Sequence, residues 1–319
     1  MTSGRRRYGP PDIMRSMGLR QLFGTLGLMA IPPLGAGYAF ERVVRRNVFH
    51  TGPYEGGTPE AVGVPFERVP FWTADGEELE GWLFEGGDSP VTVLFMHGTS
   101  YNASDMWQSE ERARLFGGFV RGLGCRFFTF DYRGYGASSA RPSEQGTYID
   151  AAAALAYLHN RADVDPTQVV FYGFSLGTGV AVELALRELC LGLVLRAPFT
   201  SIRELIMGRY PRLRTPLTLA PWLPLTRYDS AAKISRVRVP LLIMHGDQDR
   251  TVPQSMGLRL FELASEPKTF VNFPGADHAD FPLEIMAPAV RGFLDELTAA
   301  LPGGPGLSGD GEARSVAAQ

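Results

Sequence analysis

The stretch FYGFSLGTGVAVELALREL, Phe171 to Leu189, decides how the rest of the chain is read. Its glycines at 173, 177 and 179 suit a loop cradling a dinucleotide phosphate. The pentad Gly173-Phe174-Ser175-Leu176-Gly177 equally suits a sharp turn that presents a nucleophilic serine. Ser175 follows an apolar strand-like run and opens a helical pattern, which is where a strained serine turn belongs. Neighbours two positions away must then be small, and Gly173 and Gly177 are. The helix start would bring the Leu176 N–H and the positive dipole end beside the hydroxyl.

A serine hydroxyl needs a base, and the base needs an orienting carboxylate. The chain has 5 histidines. His50 lies before the sheet region and His159 late on a helix. His97 and His245 follow strands in His-Gly pairs, where packing of a turn is expected. His278, in FPGADHADF, follows the last expected strand, so its loop returns to the carboxyl edge of the sheet, where Ser175 must lie. Asp247 and Asp249 follow a buried strand in LLIMHGDQDRTVP, and Asp249 is the expected partner. Asp277 and Asp280 are expected to face water. For an oxyanion, HGT at 97–99 follows a strand expected beside the one leading to Ser175. The Thr99 and Leu176 backbone N–H groups could form a two-donor hole.

The dehydrogenase alternative fails on two counts. Several strands precede the glycines, and a tyrosine four residues before a lysine is missing. Lys233 and Lys268 have Asp229 and Ala264 at that spacing. Aspartate at the turn, as a haloalkane dehalogenase needs, is replaced by Ser175.

Along the chain, continuous apolar runs at 91–96, 125–130, 168–172, 191–195, 240–244 and 268–273 alternate with helical patterns, which predicts a mainly parallel sheet covered on both faces. Alternating runs around Asp75-Gly76 predict an antiparallel hairpin at one edge. Between 196 and 239 the alternation stops, predicting a short cap at about 198–236. Met207, Tyr210, Leu213, Leu217, Trp222 and Leu223 make it apolar, which suits an acyl-binding wall or the cap's own core.

The expected organisation is an N-terminal segment at 1–50, a Gly/Pro-rich connector at 51–65, a globular domain at 66–301 and a polar Gly-rich tail at 302–319. Leu22 to Phe40 carries no charged residue, close to the ~20 residues a spanning helix needs. A membrane anchor, a cleaved signal peptide and a buried helix all fit it. The arginine balance places the N-terminus in the cytoplasm and the domain outside it. A net charge of -3 gives no footprint for nucleic acid. Cys125 and Cys190 form no zinc-binding pattern.

HGTSYN (97–102), DYRGYGASS (131–139), GFSLG (173–177), HGDQDRTVP (245–253) and PGADHAD (274–280) together resemble the α/β-hydrolase superfamily. They are most similar to its BEM46-like group, with the related ABHD13- and ABHD17-like types. The resemblance covers 66–301 and implies an α/β-hydrolase fold with Ser175, Asp249 and His278 as the triad. It implies a serine hydrolase acting on a small-molecule or lipid-like ester or thioester, with no cofactor and no metal. A peptidase of the same fold, or an inactive binding protein, is the alternative. The group has asparagine after His-Gly where this chain has Thr99, while Asn102 fits a second asparagine. A hole built from backbone N–H groups tolerates that change. In the family, 131–136 shapes a loop.

Overall fold

The computed structural model describes residues 41–301 apart from 43, 52–56, 88, 101, 108, 214–225 and 279–282. The apolar stretch at 22–40, the tail at 302–319, and the cap residues Leu217, Trp222 and Leu223 therefore lie outside the described residues.

Eight strands form one sheet: β1 (Glu67–Trp72), β2 (Glu78–Phe84), β3 (Thr92–Met96), β4 (Arg126–Phe130), β5 (Val169–Phe174), β6 (Gly192–Arg196), β7 (Leu241–Gly246) and β8 (Lys268–Phe273). Their spatial order is β1-β2-β4-β3-β5-β6-β7-β8. β1 pairs antiparallel with β2, and β2 with β4, while the remaining pairs are parallel. The expected α/β-hydrolase architecture, hairpin included, is therefore present.

Among the described residues the helices that accompany this sheet include α1 (Glu110–Leu123), α2 (Glu144–His159), α3 (Leu176–Arg187), α4 (Ile202–Arg209), α5 (Gln254–Leu263) and α6 (Leu283–Ala299). Successive strand residues point to opposite faces, and the core divides accordingly. Leu94, Met96 and Phe171 join a cluster with α2, α3 and α5. Val93, Phe95 and Tyr172 join a second cluster with α1 and α6. Central strands buried on both faces read as unbroken apolar runs, and all five residues of β3 are buried. β8, at the edge, buries only Phe273 outright. Helix starts are set locally. The Ser109 and Ser143 hydroxyls accept from Arg112 N and Gly146 N, satisfying donors a helix start leaves over.

The parallel register carries the site. Met96 pairs with Gly173, Phe174 with Arg196, and Gly246 with Phe273. The loops after β3, β5, β7 and β8 therefore leave the sheet at one edge. The β6–β7 connection holds α4 and short 3-10 turns at Pro211–Leu213 and Ile234–Arg236. Its return strand-ward is fixed by Glu144, whose carboxylate accepts from the Arg227 and Tyr228 N–H groups. Residues 41–42 and 44–48 are helical, and Val44, Val48 and Phe49 are buried in the α2/α3 cluster.

Candidate active site

Ser175 sits between β5 and α3 with φ 51° and ψ −115°, a backbone conformation that L-residues rarely adopt. Such strain costs on the order of 1–3 kcal/mol and persists only where the surroundings impose it. Here they do: Ser175 N donates to Arg196 O at 3.0 Å, and Thr178 donates to Ser175 O through both its N–H and its hydroxyl. The turn is closed by bare glycines. A Cβ on Gly177 would lie 2.0 Å from Met96 O, and one on Gly173 would lie 2.5 Å from Gly177 O. Gly179 fits against the Tyr228 ring, as helix packing rather than a phosphate contact.

The three residues picked from sequence meet in a line. Ser175 Oγ lies 2.9 Å from His278 Nε2, and His278 Nδ1 lies 2.7 Å from Asp249 Oδ2. Asp249 Oδ1 accepts from Thr251 N and Val252 N at 2.8 and 2.7 Å, so its carboxylate cannot rotate freely. Burial alone would push the Asp249 carboxyl up. Hydrogen bonds from His245 and His278, with the Val252 N–H, outweigh it and hold the group well below the usual carboxylate range. The other face of the imidazole packs on Phe174, ring centroids 5.3 Å apart, and Arg196 stacks over Phe174.

The loop after β3 closes the opposite side. A Cβ on Gly98 would lie 3.3 Å from Ser175 Cβ, so Thr99 leaves the sheet directly beside the serine. Leu176 is the first residue of α3, and the leading N–H groups of a helix have no intrahelical partner. Asn102 stiffens the loop by accepting from the Ser104 N–H and hydroxyl. His97 is buried with Nδ1 2.8 Å from Gly98 O, and burial lowers its pKa to about 4. Asp131, in the family's loop motif, is fully buried and accepts from Ala103 N.

The structure corrects one expectation and adds one contact. Asp277 does not face water. It is buried, takes the Arg250 N–H and Nε–H, and accepts from His278 N. The turn Phe273–Ala276 swings it inward against the loop after β7, so it ties the loop carrying His278 to the loop carrying Asp249. An acidic residue beside a histidine gave no sequence signal for that inward turn. Asp280 lies outside the described residues. His245, expected to pack a turn, also approaches Asp249. Its Nε2 lies 2.9 Å from Val252 O and 3.4 Å from Asp249 Oδ2. The four-residue spacing to Asp249 was the available clue.

Asp247 accepts from Gly275 N. His159 is exposed, and both cysteines are free thiols. Among the described residues no three His, Cys, Asp or Glu side chains cluster as metal ligands would.

Comparison with known proteins gives the family and the fold. Residues 91–216 match the family described as alpha/beta hydrolase fold. An uncharacterized protein of Mycobacterium tuberculosis is 41% identical over 257 residues, 76% of this chain and 85% of that one. Alpha/beta hydrolase domain-containing protein 17C of Xenopus tropicalis is 34% identical over 244 residues, 71% of this chain and 74% of that one. The chain belongs to the α/β-hydrolase family. Within it, this hydrolase falls with the domain-containing protein 17 group. The fold of the Pyrococcus furiosus esterase Pf2001 superposes with a TM-score of 0.61 at 21% identity, covering 77% of this hydrolase and 99% of the esterase. An acetyl xylan esterase from Paenibacillus sp. R4 gives 0.57 at 19% identity, covering 77% and 96%.

Proposed function

We propose that this protein is a serine hydrolase cleaving a carboxylic ester or thioester through an acyl-enzyme. The observation that carries the reading is His278, bridged between the Ser175 hydroxyl and the Asp249 carboxylate. Ser175 Oγ attacks the carbonyl carbon while His278 Nε2 takes its proton. Asp249 holds Nδ1–H and stabilises the imidazolium that forms. The Thr99 and Leu176 N–H groups receive the developing oxyanion. His278 then protonates the leaving alcohol or thiol. In the second half, His278 takes a proton from the water that attacks the acyl carbon. It then gives that proton to Ser175 Oγ as the acyl–oxygen bond breaks, releasing the carboxylic acid and restoring the resting site. No group beyond the chain is needed for this sequence of steps.

The substrate we propose is hydrophobic or lipid-like. Support comes from the apolar composition of the segment between β6 and β7, of which Met207 and Tyr210 are partly buried against the α2/α3 core cluster. We also propose that 22–40 is the chain's membrane contact, supported by its lack of charge. Among the described residues no helix is long and apolar enough to cross a membrane.

The test of the activity is turnover of p-nitrophenyl esters from short to long acyl chains, alongside fluorophosphonate labelling. Turnover and labelling that both vanish in Ser175→Ala are expected, with rates rising toward longer chains. No turnover on any ester or thioester, with no labelling of Ser175, would overturn the reading. For the membrane contact, cell fractionation should find the protein in the membrane fraction. A fully soluble, uncleaved full-length chain would sink that part alone.

A further inference from the structure

The hydroxyl of Thr99 has a partner outside the hydrolase loops. Thr99 Oγ1 donates to the Val48 carbonyl at 2.6 Å. The Thr99 carbonyl is held from the other side, by the Tyr135 hydroxyl at 3.0 Å and more loosely by His50 N at 3.4 Å. Residues 48–50 and the loop after β3 are thus joined by a reciprocal pair of bonds, side chain to backbone one way and backbone to backbone the other. Both bonds are made by Thr99 itself, through its hydroxyl and its carbonyl, and its N–H is one of the two proposed oxyanion donors.

The partner segment is itself anchored at several points. Val44, Val48 and Phe49 are buried with α2 and α3. Glu41 accepts from both Thr226 N and Thr226 Oγ1, at 3.0 and 2.9 Å, where the cap returns toward the sheet. Arg45 donates to Pro142 O, and the Phe49 ring meets Tyr228 edge-on at 6.4 Å. Glu41, Val44, Arg45 and residues 48–50 therefore act as a strut running from the base of the cap to the oxyanion loop. A backbone donor in such a hole contributes most when it is fixed before charge develops, because no reorganisation then opposes the reaction.

We propose that Thr99 is a positioning residue whose side chain, bonded to the Val48 carbonyl, aligns its own backbone N–H for the oxyanion. The proposal rests on the serine-hydrolase reading above. The threonine in place of the group's asparagine is then a working part of this site, and 41–50 belongs to the catalytic architecture rather than to a passive lead-in. The hydroxyl touches no substrate and acts only through the loop it holds.

The experiment compares full-length wild type with Thr99→Val, Thr99→Ala and Thr99→Ser on one p-nitrophenyl ester. Each is also titrated with a trifluoromethyl ketone, which forms a tetrahedral oxyanion on the serine. Loss of one aligning hydrogen bond should lower kcat about tenfold in Thr99→Val while KM stays within about twofold. Ketone affinity should fall by the same factor, and Thr99→Ser should restore both. Thr99→Ala adds no bulk and carries the same reading should valine distort the loop.

A merely structural threonine would lower the melting temperature and leave ketone affinity and the kcat-to-KM pattern unchanged. That result would overturn the proposal, as would a Thr99→Ser variant no better than Thr99→Val. Failure of the wild type to turn over or label would instead remove the serine-hydrolase reading, so the two failures are distinguishable.

Discussion

Replacing Asp249 by asparagine should cost far more than the loss of one charge, because the structure dictates which way the amide must sit. Asp249 Oδ1 accepts two backbone N–H groups, from Thr251 and Val252. An NH₂ placed there would face two donors, so asparagine keeps its oxygen at that position. Its NH₂ then points at His278 Nδ1, 2.7 Å away, and also at His245 Nε2. His278 must accept at Nδ1 and carry its proton on Nε2, facing Ser175 Oγ. The base is then in the wrong tautomer at rest. A tautomer error of this kind lowers kcat by about 10⁴-fold, or about 5 kcal/mol of barrier. The assay is steady-state hydrolysis of a p-nitrophenyl ester with an active-site titration to correct for folded protein. The Thr251 and Val252 bonds survive, so the variant should still fold and melt cooperatively. A kcat within tenfold of wild type would refute the argument, since it would show that Asp249 does not set the tautomer of His278.

Three further outcomes follow from particular contacts. Gly177→Ala sets a Cβ 2.0 Å from Met96 O, and backbone cannot yield cheaply, so a loss of about 1–3 kcal/mol in urea melts is expected together with loss of ester turnover; an unchanged midpoint would contradict the elbow geometry. His97 is held neutral by burial, its pKa lowered from 6.5 to about 4, so its contribution to stability is complete above pH 6.5 and is lost as pH falls toward 4. Between pH 7 and pH 5 that loss is about 2 kcal/mol, and His97→Asn should flatten the pH dependence of the urea midpoint by that amount; an equally steep profile would refute the assignment. Glu144→Ala strips the acceptor from Arg227 N and Tyr228 N, which should cost about 1–3 kcal/mol and raise protease sensitivity around the cap; no change in either would show the cap return is held by other contacts.

How much of this was legible in the sequence differs from element to element. The central strands could be read because a strand buried on both faces has no polar positions to break its run, as in β3 and β5. The residues of the proposed triad could be read because each follows a parallel strand, and parallel strands deliver their C-terminal loops to one edge. Contacts that depend on side-chain direction within a loop could not. Asp277 lies between Ala276 and His278 with no periodicity to orient it, and only the turn at Phe273–Ala276 shows that it faces Arg250. The docking of 41–50 was hidden for another reason. Val44, Val48 and Phe49 are apolar at helical spacing, but Arg42, Arg45 and Arg46 interrupt them, and the segment reads as a basic flank. Its partner atoms are mostly backbone carbonyls and amides, which carry no sequence signature at all.

The central claim is that Ser175 carries the acyl group, and it is tested most directly by rapid quench of the enzyme with a slowly deacylating p-nitrophenyl ester followed by peptide mass spectrometry. The account predicts a burst of p-nitrophenolate matching the enzyme concentration, with the acyl mass on the peptide containing Ser175 and absent in Ser175→Ala. Turnover with no acylated peptide, or an acyl mass on any other residue, would contradict it.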